Sequence, residues 1–286
     1  MEIGFIGLGI MGVPMALNVL NKTKKTLHVY DINDKQKMEV SEHGAVSENS
    51  AEEVVNKSDI IITMVPTSAD VKDVYEKIFK QNIQGKIFID MSTIDPETSI
   101  EVSEKIKNKG GVMIDAPVVK SKAAAEKGEL GIYVGGDYET FEKVKDILKC
   151  MGKNVIYMGE NGQGLVMKIC HNILVGMIQN GVNEVLTMAE KLGIDYEKFI
   201  TAVSYGGGQN FYLDSKWETI KNRAFEPAFS VKNMNKDVNL ACNLKDKSNL
   251  DLPGFELVKR IYSEAMKKGF ENEDFSASFK VVKKEL

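Results

Sequence analysis

The chain has 286 residues, of which 43% are hydrophobic and 27% are charged, and its net charge is -4. These values are ordinary for a globular protein, and the scattered lysines form no basic tract that would bind nucleic acid or an acidic membrane. The three cysteines are odd in number and far apart, and the three histidines have no ligand-like spacing, so neither a disulfide framework nor a metal site is expected.

The N-terminus carries no targeting pattern, because the first strand is predicted from Met1 itself. No uninterrupted apolar run approaches the ~20 residues that a membrane span requires. These observations predict a reduced, cytoplasmic protein without a membrane partner.

Apolar runs alternate with helical patterns through the first 160 residues. The predicted strands are 1–6, 26–30, 45–46, 59–65, 86–90, 112–114, 130–134 and 155–158. The predicted helices run to about 22, then cover 35–43, 51–57, 69–80, a segment beginning at 95–97, and 137–149. This alternation predicts an α/β fold, with a doubly wound parallel sheet covered by helices on both faces.

A long apolar helix is predicted over 162–192, and only helical patterns follow it, at about 195–204, 209–222, 230–246 and 253–268. The change of character predicts two domains, a dinucleotide-binding Rossmann domain at 1–161 and an all-α domain at 162–286 for substrate and oligomer contacts. Lys168 and Asn172 lie four positions apart near the start of the long helix, so both project from one face.

A glycine-rich loop follows the first strand and opens the first helix. It comprises Gly7, Leu8, Gly9, Ile10, Met11 and Gly12. The three glycines allow a tight turn, close approach of a pyrophosphate and close helix–strand packing, and the helix N-terminus favours the phosphates. Asp31 ends the second strand, where an acidic side chain binds ribose hydroxyls and repels a 2′-phosphate, so NAD is favoured over NADP. The alternative is a structural glycine turn with an Asp that caps a helix.

Two further strand ends should lie at the same crevice, because ligands bind outside the carboxyl ends of parallel strands. They are Met64-Val65-Pro66 and Met91-Ser92-Thr93. Thr93 could also cap the helix that begins near Pro96, and both roles could hold.

Several ordered motifs together resemble those of the β-hydroxyacid dehydrogenase family, which includes 3-hydroxyisobutyrate dehydrogenases and tartronate semialdehyde reductases. The resemblance covers essentially the whole chain. Its motifs are GFIGLGIMGVPMA (4–16), DMSTIDP (90–96), DAPV (115–118), Lys168 and Asn172 after Gly162-x-Gly164, Lys236-Asp237 before Leu240-Ala241, and Asp274-x-Ser276-Ala277.

The resemblance implies an active site between a Rossmann domain and a helical domain, and a homodimer or homotetramer. It implies that Lys168 is the catalytic lysine and Asn172 its partner at the substrate. It further implies that Thr93 contacts cofactor and substrate and that Lys236 contacts the cofactor. The implied substrate is a small anionic hydroxy acid or its semialdehyde.

One segment departs from the family pattern. Relatives usually have Ser-Gly-Gly after DAPV to hold the substrate carboxylate, whereas Val119, Lys120 and Ser121 stand here. A basic residue at position 120 resembles the pattern of sulfolactaldehyde reductases, so Lys120 and Ser121 are candidates to bind an anionic group. The alternative is an ordinary exposed lysine.

The predicted chemistry is hydride transfer with Lys168 as general acid or base, because burial favours the neutral amine and brings its pKa towards working pH. Asn172 would hydrogen-bond substrate or orient the lysine. The alternative is that Lys168 extends into solvent, and Lys236 could likewise be a surface lysine. The competing functions are a sulfolactaldehyde or succinic semialdehyde reductase and, outside enzymes, a dinucleotide-binding regulator that has lost catalysis.

Overall fold

The computed structural model describes residues 1–284. The chain folds into two compact units, Met1–Lys168 and the residues from Ile169 onward. Each unit has its own hydrophobic core.

The first unit contains one sheet of nine strands with the order β3-β2-β1-β4-β5-β6-β8-β7, and β9 pairs with β8. The strands are β1 (Ile3–Ile6), β2 (Leu27–Tyr30), β3 (Val46–Ser47), β4 (Ile60–Thr63), β5 (Ile87–Asp90), β6 (Val112–Asp115), β7 (Val118–Val119), β8 (Leu130–Gly135) and β9 (Gly152–Gly159). The six strands from β3 to β6 in this order are parallel, as predicted for the doubly wound half.

The prediction of a wholly parallel sheet is wrong at one edge of the sheet, where antiparallel pairing occurs. Strand β8 is antiparallel to both β6 and β7, and only β9 returns parallel to it. The short strand β7 was not predicted. Residues 120–129 alone join β7 to β8, and a parallel crossover needs a dozen or more residues, so the chain turns back antiparallel.

Seven helices accompany these strands. They are α1 (Gly12–Thr23), α2 (Asp34–Ser41), α3 (Ala51–Lys57), α4 (Ser68–Ile78), α5 (Pro96–Asn108), α6 (Lys122–Glu126) and α7 (Tyr138–Met151). Adjacent strand residues such as Ile61 and Ile62 belong to different core clusters, because successive side chains point to opposite faces of a sheet. The sheet is therefore buried on both faces, and its strands read as continuous apolar runs.

The second unit is helical. Helix α8 (Gln163–Lys191) runs into it from the first unit, and α9 (Tyr196–Val203), α10 (Phe211–Asn222), α11 (Val231–Lys247), α12 (Pro253–Lys267), a 3-10 turn (Phe275–Ala277) and α13 (Ser278–Val282) follow. The last two elements were not predicted. Buried Asp274 accepts hydrogen bonds from Lys216 Nζ at 3.0 Å and Ser276 Oγ at 2.6 Å, which gives the closing motif a structural role.

Helix α8 is long and apolar enough, by length and composition, to cross a membrane, which the prediction of no membrane-length segment overlooked. Core helices pass the same test, and 56% of its most apolar 18-residue window is buried inside the protein. The helix also buries the side chains of Gln179 and Asn183 completely, and such polar groups need protein partners.

Candidate active site

The glycine-rich loop lies between β1 and α1 as predicted. Gly7 has φ +95°, and a Cβ there would overlap the Met64 carbonyl oxygen, while a Cβ at Gly12 would overlap the Gly7 carbonyl oxygen. Gly9 differs, because it is exposed and a Cβ there would meet no protein atom within 4 Å. The chain itself thus requires Gly7 and Gly12, whereas the absence of a side chain at Gly9 leaves the start of α1 open to a dinucleotide pyrophosphate. The intervening Leu8 is buried and Ile10 is exposed.

Asp31 connects the end of β2 to this loop. Its Oδ2 accepts the Leu8 N–H at 2.6 Å, and its Oδ1 accepts the Asn33 N–H at 2.8 Å. Each carboxylate oxygen has two acceptor positions, so Asp31 keeps the capacity to bind hydroxyl donors. Asn33, and not Asp31, caps α2, so the alternative that Asp31 is a helix cap is wrong.

The ends of β4 and β5 are joined by hydroxyl groups. Ser92 Oγ accepts the Val65 N–H at 2.9 Å and donates to Asp90 Oδ1 at 2.7 Å, and Thr63 Oγ1 donates to the same oxygen at 2.7 Å. The network brings together the predicted segments 64–66 and 91–93. Asp90 is fully buried, and this burial raises the pKa of its carboxyl. Asp95 occupies the N-cap position of α5 without a side-chain capping bond, and a capping role of Thr93 stays a prediction.

The end of β6 holds the beginning of α8. Asp115 is fully buried, and its two oxygens accept the Gly162 N–H at 2.6 Å and the Leu165 N–H at 2.9 Å. Burial is the largest cause that raises the pKa of Asp115 to about 7, although the two N–H bonds oppose it. Sequence reasoning quoted Asp115 only as part of a motif and gave it no role.

Lys168 and Asn172 follow on α8, one turn apart. They are 8% and 6% exposed, so the alternative that Lys168 extends into solvent is wrong. Asn172 Nδ2 donates to Asp237 Oδ2 at 2.5 Å, and the other oxygen of Asp237 forms an ion pair with Lys236 Nζ at 3.4 Å without hydrogen-bond alignment. Asp237 is 2% exposed and was missed as a site residue, although its position beside Lys236 in the motif was the available signal.

The segment after DAPV has an unusual backbone. Lys120 has φ +88°, a conformation that glycine adopts without strain, and its Nζ donates to the Glu129 carbonyl oxygen at 2.9 Å. Val119 is buried in β7, whereas Lys120 and Ser121 are exposed. The structure therefore places the predicted anion-binding pair at the surface of the first unit, with the amine held by a backbone carbonyl.

Among the residues that the structure describes, potential metal ligands are not clustered. Within residues 1–284, no group of three or more His, Cys, Asp or Glu side chains could hold a metal ion, and Cys150, Cys170 and Cys242 are unpaired with one another.

The two parts of the chain match two known NAD-binding families. Residues 2–159 match the NAD-binding domain of 6-phosphogluconate dehydrogenase, and residues 162–282 match the NAD-binding region of NADP-dependent 3-hydroxyisobutyrate dehydrogenase. These two matches, with the open glycine loop, define an NAD(P)-binding oxidoreductase.

Whole-chain relatives narrow the assignment. The chain is 34% identical to glyoxylate/succinic semialdehyde reductase 1 of Arabidopsis thaliana, over 99% of each protein. It is 35% identical to 2-hydroxy-3-oxopropionate reductase of Escherichia coli, over 97% of this chain and 95% of that enzyme. Its fold superposes on 3-hydroxyisobutyrate dehydrogenase of Mycobacterium tuberculosis, solved with L-serine, with a TM-score of 0.91 and 28% identity over 98% of both chains. The chain belongs to the β-hydroxyacid dehydrogenase family and is an oxidoreductase acting on CH–OH donors.

Proposed function

We propose that the protein reduces a small semialdehyde to the corresponding hydroxy acid, or runs the reverse reaction, with Lys168 as the proton donor and acceptor. The observation that carries this proposal is a lysine buried to 8% exposure on α8, one turn before an asparagine whose amide is held by a buried carboxylate.

Lys168 and Asn172 have different roles in the proposed reduction. A reduced nicotinamide cofactor, held by the glycine-rich loop and Asp31, would supply the hydride to the carbonyl carbon. The Lys168 ammonium polarises the carbonyl oxygen and then gives it a proton, and in the oxidation direction the neutral amine takes the hydroxyl proton. Asn172 donates its amide hydrogen to Asp237, so its carbonyl oxygen is the end that can accept a hydrogen bond from a substrate hydroxyl.

The cofactor that these residues favour is NAD. Asp31 places a carboxylate beside the glycine loop, where it would repel a 2′-phosphate. Lys35 and Lys37 are the nearest bases in the sequence, and Lys37 is bound to Asp34 at 2.7 Å and lies 5.4 Å from the centre of the Tyr30 ring. The ion pair with Asp34 raises the pKa of Lys37 and occupies the ammonium that an NADP-binding site would direct at the phosphate. Thr93, Met64, Val65, Pro66 and Lys236 are proposed as the further cofactor contacts.

The proposed substrate is an anionic aldehyde or hydroxy acid. The relatives named above reduce glyoxylate, succinic semialdehyde or 2-hydroxy-3-oxopropionate by their names. Lys120 and Ser121 would bind the anionic group at the position where the family usually has Ser-Gly-Gly. A succinic semialdehyde or sulfolactaldehyde reductase is the second candidate, because a lysine at this position adds a positive charge for a second carboxylate or a sulfonate.

A panel of semialdehydes with NADH tests the proposal, followed by Lys168→Ala. We expect kcat to fall by about 10²–10⁴-fold, the range for loss of a general acid–base group, while the Kd for NADH stays within about threefold. Lys191→Ala, at the exposed end of the same helix, is the matched control and should keep full activity. An active Lys168→Ala variant would remove this residue from the chemistry. Tight NADH binding with no turnover on any substrate would favour the non-enzymatic dinucleotide regulator.

We further propose a homodimer or homotetramer. Leu174, Met177, Val185 and Met188 are exposed apolar residues at helical spacing on α8, from 39% to 60% accessible. A second copy of the chain would cover such a stripe. Light scattering on the purified protein gives the mass directly, and a monomer at micromolar concentration would contradict the proposal. The domain limits of 1–161 and 162–286 and the cytoplasmic location stay predictions.

A further inference from the structure

The buried carboxylate of Asp115 binds the beginning of α8. Asp115 accepts the N–H of Gly162, the residue before the helix, and the N–H of Leu165 in its first turn, with one oxygen each. Because the two bonds are separated by three residues on the helix, they fix both its position along its axis and its rotation about that axis.

Close backbone packing surrounds this carboxylate. A Cβ on Gly164 would lie 2.5 Å from the Tyr133 carbonyl oxygen and 2.7 Å from Asp115 Oδ2, and a Cβ on Gly135 would lie 2.6 Å from Asp115 Oδ1. Contact between α8, β8 and Asp115 therefore explains the glycine at position 164, whereas Gly162 has φ +92°, which favours glycine on its own. The Leu165 side chain adds a third anchor, because it is fully buried in the core cluster of the first unit.

Lys168 follows Leu165 by three positions, so the anchored turn is the one directly beneath it. An extended lysine amine lies about 8 Å from the axis of its helix, so a rotation of about 10° moves it by about 1.4 Å. Displacements near 1 Å from sites remote from the chemistry lower rates by about 10²-fold. The rotation of α8 is thus a variable on which proton transfer from Lys168 depends.

We propose that Asp115 is a positioning residue for Lys168: its carboxylate clasps the first turn of α8 and thereby sets the place of the amine at the reacting carbonyl. This inference rests on the proposed role of Lys168. It assigns Asp115 no contact with cofactor or substrate.

Asp115→Asn tests the clasp, because the side chain keeps its shape but turns an N–H₂ group towards one of the two backbone N–H donors. With the panel semialdehyde that wild type reduces fastest, we expect kcat to fall about 10- to 100-fold while the Kd for NADH stays within about threefold. Gly164→Ala should give the same loss by displacing the turn with the carboxylate intact. Asp137→Asn is the matched control, since Asp137 caps α7 in the same unit through Thr140 and should leave kcat unchanged.

A second measurement needs no substrate. Amide hydrogen exchange over residues 160–170 of the whole protein should speed up in Asp115→Asn and stay unchanged in Asp137→Asn. If the wild-type protein reduces no semialdehyde, the proposed function is wrong. The exchange result still shows whether Asp115 holds the beginning of α8 in place. If Lys168→Ala is inactive while Asp115→Asn keeps wild-type kcat and wild-type exchange, the positioning role of Asp115 is wrong and the proposed role of Lys168 stands. A rise in the Kd for NADH equal to the fall in kcat would mean general loosening and would also overturn it.

Discussion

The buried carboxyl of Asp115 should make the first unit less stable as pH rises, and Asp115→Asn should remove this effect. Folding raises the pKa of Asp115 from 3.8 to about 7. Between about pH 4 and pH 7 the folded state therefore holds a proton that the unfolded state has lost, so stability falls across that window as pH increases. At 1.36 kcal/mol per pKa unit, the loss is about 4 kcal/mol between pH 4 and pH 8.

Asparagine at position 115 does not titrate, so the variant should lose most of that slope. Asp90 faces Asp115 across paired strands, and its pKa is also raised by burial, so part of the slope should remain in the variant. At pH 8 the variant gains by having no buried charge and loses one hydrogen bond that contributes about 1–3 kcal/mol when left unsatisfied. We therefore expect it to be folded and no less stable than wild type at that pH.

The assay must report on the first unit. The single tryptophan, Trp217, lies on α10 in the other unit, so its fluorescence is unsuitable. Exchange protection of the β5 and β6 amides at pH 5 and pH 8, corrected for intrinsic rates, gives the free energy of opening in the right place. Asp137→Asn is the control, because hydrogen bonds from Thr140 lower the pKa of Asp137 and its contribution is complete above about pH 4. Equal slopes in wild type and Asp115→Asn would refute a raised pKa at Asp115.

Three further substitutions test separate parts of the structure. Lys120→Gly relieves the strain of a positive φ and should raise the free energy of unfolding by about 1 kcal/mol. It should also raise the KM for anionic substrates, and an unchanged KM would mean that Lys120 is a surface residue with no part in substrate binding. In Gly7→Ala the new Cβ would overlap the Met64 carbonyl oxygen, and residue 7 has φ +95°, so the variant should have a lower melting temperature and a lower affinity for NADH. Gly44→Ala is the control, because Gly44 also has a positive φ but has open space around it, so only the melting temperature should change. His28→Gln should lower the free energy of unfolding by about 2 kcal/mol or more, because the ring bridges Glu2 and buried Glu48 by hydrogen bonds of 2.9 and 2.8 Å. A loss below about 0.5 kcal/mol would contradict a structural hydrogen-bond bridge there.

Sequence patterns predicted most of the fold because long, apolar segments dominate it. The strands β1, β2, β4, β5 and β6 are buried on both faces and therefore read as continuous apolar runs, and all four helices α9–α12 were predicted within about two residues. Helices α6 and α13 were missed, because five residues complete little more than one helical turn and show no helical period. Strand β7 was missed because its two residues had been assigned to a motif and not to a strand. The antiparallel edge was missed for a related reason, since strand direction depends on the length of the connection and not on the pattern of the strand.

Part of the candidate site could be predicted from the sequence. The glycine loop, Asp31 and the two strand ends follow from motif and context, because each occupies a fixed position relative to a strand. Asp115 and Asp237 could not be assigned roles in the same way. Their importance depends on which backbone and side-chain donors the fold brings against them, over separations of 47 to 65 residues. For Lys120 the sequence showed the position in the motif, but it did not show that the backbone there has a positive φ.

The clasp on α8 also has a practical consequence for dividing this protein into fragments. A piece that ended in the loop before α8 would leave Asp115 buried at the end of β6 without its two N–H donors, and it would remove Leu165 from the core. A fragment extended to Lys168 keeps both. The dinucleotide-binding half should therefore be obtained in soluble, folded form only when about one and a half turns of the following helix remain attached to it.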